Sequence, residues 1–304
     1  MIYTFGCSTT KWVWPTWADW LSAYGHEVTN LAYRGYSNQN IYWAIMDRIQ
    51  TFTPEDHIII IWTQNHRINL WYDQTWIHEK DCLGFFPDTE GKLWYTQDDP
   101  YLGLYRTHPD YQTSFTHMVI DQFQPILQTQ LLLDRIGCKY TMLFAINPWS
   151  DCRPVFKPQY KIQNWDNRQG LTKEETAHAK KIININPIRN LLGEINWDKF
   201  IDAPGDPLNP KDYTGLCEYF FTKKEFVILK HNVDHHPNPL AHHDYLLEKI
   251  LKQDPKQGKY RDLAEKMSIE SMDMEIPEFT QDDYVAPPTA KLLAQHFEEI
   301  FANL

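Results

Sequence analysis

One run of five residues, Ile58-Ile59-Ile60-Ile61-Trp62, limits the folds open to this 304-residue chain more than any other feature. An apolar, β-branched stretch without polar alternation does not suit a half-solvated antiparallel sheet. It belongs in the middle of a parallel sheet covered by helices on both faces. The preceding segments fit that placement. Ile2-Tyr3-Thr4-Phe5 reads as a first strand. Pro15 to Tyr24 reads as a helix, with proline in its first turn, Trp17, Trp20 and Leu21 on one face, and Gly25 to end it. Glu27 to Ala32 reads as a short strand, followed by a helix on which Ile41, Ala44, Ile45 and Ile49 recur at helical spacing. Three strands separated by two helices make the βαβαβ unit of a doubly wound α/β fold, with right-handed crossovers.

The rest of the chain continues in the same class. Phe115 to Ile136 reads as a long helix containing Pro125, Tyr140 to Ile146 as a strand, Asn186 to Ile195 and Asp198 to Ile201 as helices, and Phe226 to Leu229 as a last strand. Thr289 to Ile300 reads as a terminal helix, and the charge-rich Lys252 to Lys266 as solvated surface. No clean linker interrupts the chain, so residues 1–304 read as one domain. It carries insertions at about 67–111 and 148–185 and a C-terminal extension from about 254.

A net charge of −11 and a pI near 5.6, with no cluster of Lys and Arg, exclude nonspecific nucleic-acid binding and an anionic membrane surface. No apolar run is long enough to insert in a membrane, and the first residues lack the order of a signal peptide. The expected location is the cytoplasm or a virion. Five cysteines without a C-x-x-C pair suggest free thiols. The 12 Trp, 17 Tyr and 15 Phe exceed what an ordinary core needs and leave aromatics for a cleft or an interface. Those between Arg67 and Tyr111, Trp71 and Trp76 among them, read equally well as a cleft wall or as a satellite core.

Ligands of open parallel sheets bind outside the carboxyl ends of the strands. Ser8 follows the first strand there, Gly35 the second and Asn65 the third. A hydroxyl, an unobstructed backbone N–H and a carboxamide are what acyl transfer needs: a nucleophile and donors for the developing oxyanion. Serine also needs a base. The stretch from Asn232 to Ile250 supplies His236, with Asp234 two positions before it and Pro237 to set the turn. Plainer readings stand beside these. Ser8 can serve as a loop or capping hydroxyl, and Cys7 is an alternative nucleophile. His235, His236, His242 and His243 have the side chains of a metal site, although adjacent helical residues diverge by about 100°.

Gly6-Cys7-Ser8-Thr9-Thr10 resembles the first block, G-D-S-x-T, of the SGNH or GDSL-type hydrolases, with cysteine where aspartate is usual. Gly35 is similar to their second-block glycine and Asn65 to their third-block asparagine. His236-Pro237-Asn238-Pro239-Leu240-Ala241-His242 resembles the end of their fifth block. The resemblance covers about residues 1–67 and 230–252. It implies a flavodoxin-like three-layer α/β/α sandwich with a mostly parallel sheet. It also implies a Ser8-His236-Asp234 triad and an oxyanion hole from the Ser8 and Gly35 N–H groups and the Asn65 side chain. The sequence departs from the pattern at Thr63, His66 and Ala241, and in the two-residue step from Asp234 to His236. The expected activity is that of an esterase or carbohydrate O-deacetylase needing neither cofactor nor metal. Its partner would be a small-molecule ester or an acylated glycan, with His66, Arg67, Trp71 and Trp76 as candidate substrate contacts. The alternatives are a catalytically silent binding or structural module, for instance of a phage particle, and an anion-handling enzyme using the turn after the first strand.

Overall fold

The computed structural model describes residues 1–12, 14–33, 36–63, 71–72, 75–76, 115–150, 170–223 and 236–271. In chain order, β1 (Ile2–Phe5) leads through α1 (Trp17–Ala23) to β2 (Val28–Asn30), and α2 (Asn38–Arg48) leads to β3 (His57–Trp62). A two-residue antiparallel pair follows, β4 (Trp71–Tyr72) with β5 (Thr75–Trp76). Next come α3 (Phe115–Ile136), β6 (Lys139–Phe144), α4 (Lys173–Ile183), α5 (Asn186–Glu194), α6 (Leu216–Lys223), α7 (Pro239–Tyr245) and α8 (Arg261–Ser271).

The main sheet has the order β2-β1-β3-β6, parallel throughout. The isoleucine run lies inside it, between β1 and β6, and supplies both faces by simple alternation. Ile58, Ile60 and Trp62 join one core with Ile41 and Ile45 of α2, Phe123 and Ile126 of α3, and helices α4 and α5. Ile59 and Ile61 join a second core with Trp17 and Trp20 of α1, Phe220 of α6, Tyr245 of α7 and Ala264 of α8. Helices on both faces of a parallel sheet make the flavodoxin-like α/β/α sandwich that the sequence implied.

Three helices occupy segments whose sequence reads as loop, connection or surface. For α4 the signal is Thr172-x-x-Glu175, a capping box: Glu175 N–H donates to the Thr172 hydroxyl (3.1 Å) and Thr172 N–H to the Glu175 carboxylate (2.8 Å). In α8, Asp262, Glu265 and Lys266 face solvent while Ala264 and Met267 are buried, so the charge-rich stretch is solvated on one side and forms core on the other. The third, α6, begins where Gly215 lies against the backbone of Ile146. A Cβ there would stand 2.5 to 2.7 Å from Ile146 atoms, so only glycine permits this approach.

The aromatic excess also finds a different use. Trp14, Trp17, Trp20, Trp62 and Trp149 are fully buried. Each buries roughly 150–250 Å² of ring, and Trp149, which no sequence pattern assigned, packs between Phe123 and Tyr213. The strand expected at Phe226–Leu229 and the helix at Thr289–Ile300 lie outside the described residues. No described helix is long and apolar enough to cross a membrane.

Candidate functional site

In strand order 2-1-3 the chain reverses direction between β1 and β3, and the crevice at their carboxyl ends is the expected ligand position. The chain leaving β1 turns at once. Thr10 N–H (2.9 Å) and Lys11 N–H (3.2 Å) both donate to the Cys7 carbonyl, which folds Ser8-Thr9-Thr10 into a tight turn at the strand end. Gly6 makes this possible, because a Cβ there would overlap the Thr10 hydroxyl and stand 3.3 Å from Ile61 Cβ. The Thr10 carbonyl is gripped from two sides, by Asn30 Nδ2 (2.9 Å) and the Thr16 hydroxyl (2.7 Å). The Gly6 carbonyl accepts from Tyr33 N–H (3.2 Å). Ser8 is therefore mounted on a turn fixed to β1, β2 and the start of α1. It is 4% exposed and makes no hydrogen bond among the described residues.

Cys7 is buried as well. Its side chain is part of the buried core beside α1, with Sγ 3.4 Å from the Thr9 hydroxyl.

The chain segment running on from Ser8 reaches the histidine block at the far end of the sequence. The Trp12 indole lies against the His236 imidazole, ring centres 3.5 Å apart and planes inclined by 18°. Trp14 Nε1 donates to the Pro237 carbonyl (2.7 Å), and Trp20 Nε1 to that of Pro239 (3.0 Å). The block itself is a helix start. Asn238 is the N-cap, accepting from Ala241 N–H (2.8 Å), and Pro239 occupies the first turn, where its missing N–H costs nothing. His236 thus stands two residues before a capped helix whose entry is clamped to α1 and the Ser8 loop.

The neighbouring histidines diverge as helical geometry requires. His242 is fully buried, edge-on to Phe220, and neither ring nitrogen has a hydrogen-bond partner among the described residues. Burial, with a smaller contribution from His236, pushes its pKa down to about 3. His243 points into a different network. Its Nδ1 donates to Asp244 (3.0 Å), leaving Nε2 to accept from the Tyr24 hydroxyl (2.9 Å). Both Asp244 carboxylate oxygens also accept from Arg261 Nη1 (2.7 and 2.5 Å). Burial alone would raise the Asp244 pKa. The His243 and Arg261 bonds, with the Arg261 charge, hold it below the usual carboxylate range. No group of three or more His, Cys, Asp or Glu among the described residues is arranged to hold a metal.

Of the expected site residues, Ser8 and His236 lie on the two segments that Trp12 joins. Gly35, Asn65, His66, Arg67 and Asp234 lie outside the described residues. The backbones of Trp71 and Trp76 face one another across the β4–β5 ladder. Trp12 and Trp14 were not foreseen as site residues. The available signal is two tryptophans one residue apart just before Pro15.

No protein-family model matches the chain, and no curated protein matches it. Among solved structures, the crystal structure of protein YxiM from Bacillus subtilis aligns at 15% identity with a TM-score of 0.37. That alignment covers 85% of this chain and 57% of the YxiM chain, so this chain spans little more than half of that protein's length.

Proposed function

We propose that this protein is a serine hydrolase acting on esters, in the manner of the SGNH or GDSL-type enzymes, with Ser8 as nucleophile and His236 as base. The supporting observation is the docking of the Ser8 loop onto the His236 turn through the Trp12–His236 stack, at the carboxyl edge of a parallel sheet.

The chemistry would run through an acyl-enzyme. Ser8 Oγ attacks the ester carbonyl as His236 takes its proton. The Ser8 and Gly35 N–H groups and the Asn65 carboxamide then bind the oxyanion. Collapse of the tetrahedral intermediate expels the alcohol, protonated by His236, and water activated by the same imidazole releases the acid. Asp234 would hold the histidine tautomer. An acylated glycan is the preferred substrate class, because sugar faces stack on aromatic rings such as those of Trp71 and Trp76.

The test is intact-mass analysis after treatment with a small fluorophosphonate. One adduct on the unaltered chain, lost in both Ser8→Ala and His236→Ala, is expected. Absence of an adduct under conditions that label a known serine esterase would overturn the reading. It would favour instead a catalytically silent binding module, a reading consistent with the burial of Ser8 and its lack of a hydrogen bond among the described residues.

A further inference from the structure

Where β3 ends, its last ladder bond runs from Ala145 N–H to the Trp62 carbonyl (2.7 Å), and Thr63 passes beyond the sheet. Thr63 is nevertheless buried, so both polar groups of its backbone need partners. Two side-chain amides supply them. Asn38 Oδ1 accepts from Thr63 N–H (2.7 Å), and Gln122 Nε2 donates to the Thr63 carbonyl (3.1 Å). The amides also bind each other, Asn38 Nδ2 donating to Gln122 Oε1 (2.6 Å), with a longer contact from Asn38 Nδ2 to the Thr63 carbonyl (3.4 Å). Asn38 is 3% exposed and Gln122 1%. Both backbone groups of Thr63 find a side-chain amide in this ring, while its hydroxyl has no partner among the described residues.

The ring joins three elements: the first residue of α2, the exit of β3, and α3. In the sequence Asn38 stands three residues after Gly35, and Thr63 two residues before Asn65. At about 3.3–3.6 Å per extended residue, both tethers are at most roughly 7–11 Å long. We infer that Asn38, seated by Gln122, is a positioning residue that fixes the start of α2 against the exit of β3, the two points from which the chain runs to Gly35 and to Asn65. This inference rests on the hydrolase reading above. An oxyanion donor displaced by about 1 Å loses most of its preference for the transition state, whereas substrate binding by other contacts is little affected.

Asparagine is required at position 38. Aspartate has the same shape but can only accept when ionised, so Asn38→Asp sets a carboxylate oxygen against Gln122 Oε1 and the Thr63 carbonyl. The experiment compares Asn38→Asp and Gln122→Glu with the unaltered protein, using p-nitrophenyl acetate hydrolysis, the rate of fluorophosphonate labelling, and thermal unfolding. The expected result is a fall of about 10- to 100-fold in kcat and in labelling rate, with KM within about twofold. If Asn38→Asp does not fold, Gln122→Glu carries the comparison. A folded variant labelled within twofold of the unaltered rate would overturn the positioning role while leaving the hydrolase reading intact. Failure of the unaltered protein to label at all would overturn both.

Discussion

The indole of Trp12 and the imidazole of His236 are stacked 3.5 Å apart, although 224 positions separate them in the chain (236 − 12). The stack fixes the plane of the histidine ring from the loop that carries Ser8. In the proposed reaction His236 takes a proton, and the indole face would then also attract the charged ring. Cation–π contacts contribute about 0.5–2 kcal/mol, which corresponds to roughly 2- to 30-fold in rate. Trp12→Leu should lower the fluorophosphonate labelling rate by that factor, and Trp12→Phe should keep most of it. Equal labelling of all three proteins would show that the ring plane is set by other contacts.

Gly6 is required by Thr10 rather than by its own backbone conformation. A methyl group at position 6 meets the Thr10 hydroxyl, and Gly6→Ala should destabilise the protein by about 1–3 kcal/mol in urea unfolding. Thr10→Ala in the same chain removes that hydroxyl and should restore part of the loss. No recovery in the double variant would assign the clash to the carbons that remain, Thr10 Cβ at 3.0 Å and Ile61 Cβ at 3.3 Å from the added carbon.

A buried histidine, His242, and a half-buried one, His57, lower stability in acid. His57 lies beside Thr141 (2.9 Å), and burial together with Lys139 brings its pKa down to about 4, while His242 is brought to about 3. In the unfolded chain both titrate near 6.5. As pH falls below that value the unfolded state takes up protons that the folded state refuses. Stability is therefore full above about pH 6.5 and falls by up to about 1.4 kcal/mol per pH unit for each histidine, until its folded pKa is reached. His242→Leu removes two buried nitrogens without partners, so it should be near neutral or stabilising at pH 7. The variant should also lose stability less steeply between pH 6 and 4. An unchanged slope in chemical unfolding would show that His242 is protonated in the folded protein.

The Tyr24–His243–Asp244–Arg261 chain fastens α8 to α7 and to the end of α1. Arg261→Gln leaves the buried Asp244 without its cation and should cost about 1–3 kcal/mol. The Asp244 titration, followed by NMR, should move to higher pH because the largest remaining influence is burial. A titration that stays in place would mean that His243 alone holds the charge.

Much of the framework was legible because it depends on near neighbours in sequence. The Ile58–Ile61 run, the helical spacing of Ile41 and Ile45 and the Phe115–Ile136 pattern each reflect which face of one element must avoid water, and the parallel sheet follows from their order. The Ser8 turn and the Asn238-Pro239 helix start could be located for the same reason, since each is written in a few adjacent residues. The charged face of α8 concealed a helix from simple inspection, because its apolar side is short.

Pairings across the chain were decided by tertiary structure alone. No local pattern says that Trp12 meets His236, that Cys7 packs in the core beside α1, or that Asn38 and Gln122 close around Thr63. Each pairing joins groups whose own segments leave their ring faces or hydrogen-bonding atoms unsatisfied. Partners become available only when the sheet order sets β1 beside β3 and layers α3 over α2, and α7 beside α1. The sequence by itself determined which elements form and which side of each is buried, because those are properties of adjacent residues in water. Which polar group finds which partner was settled by packing, because an unsatisfied donor or acceptor inside a close-packed core has very few atoms within reach.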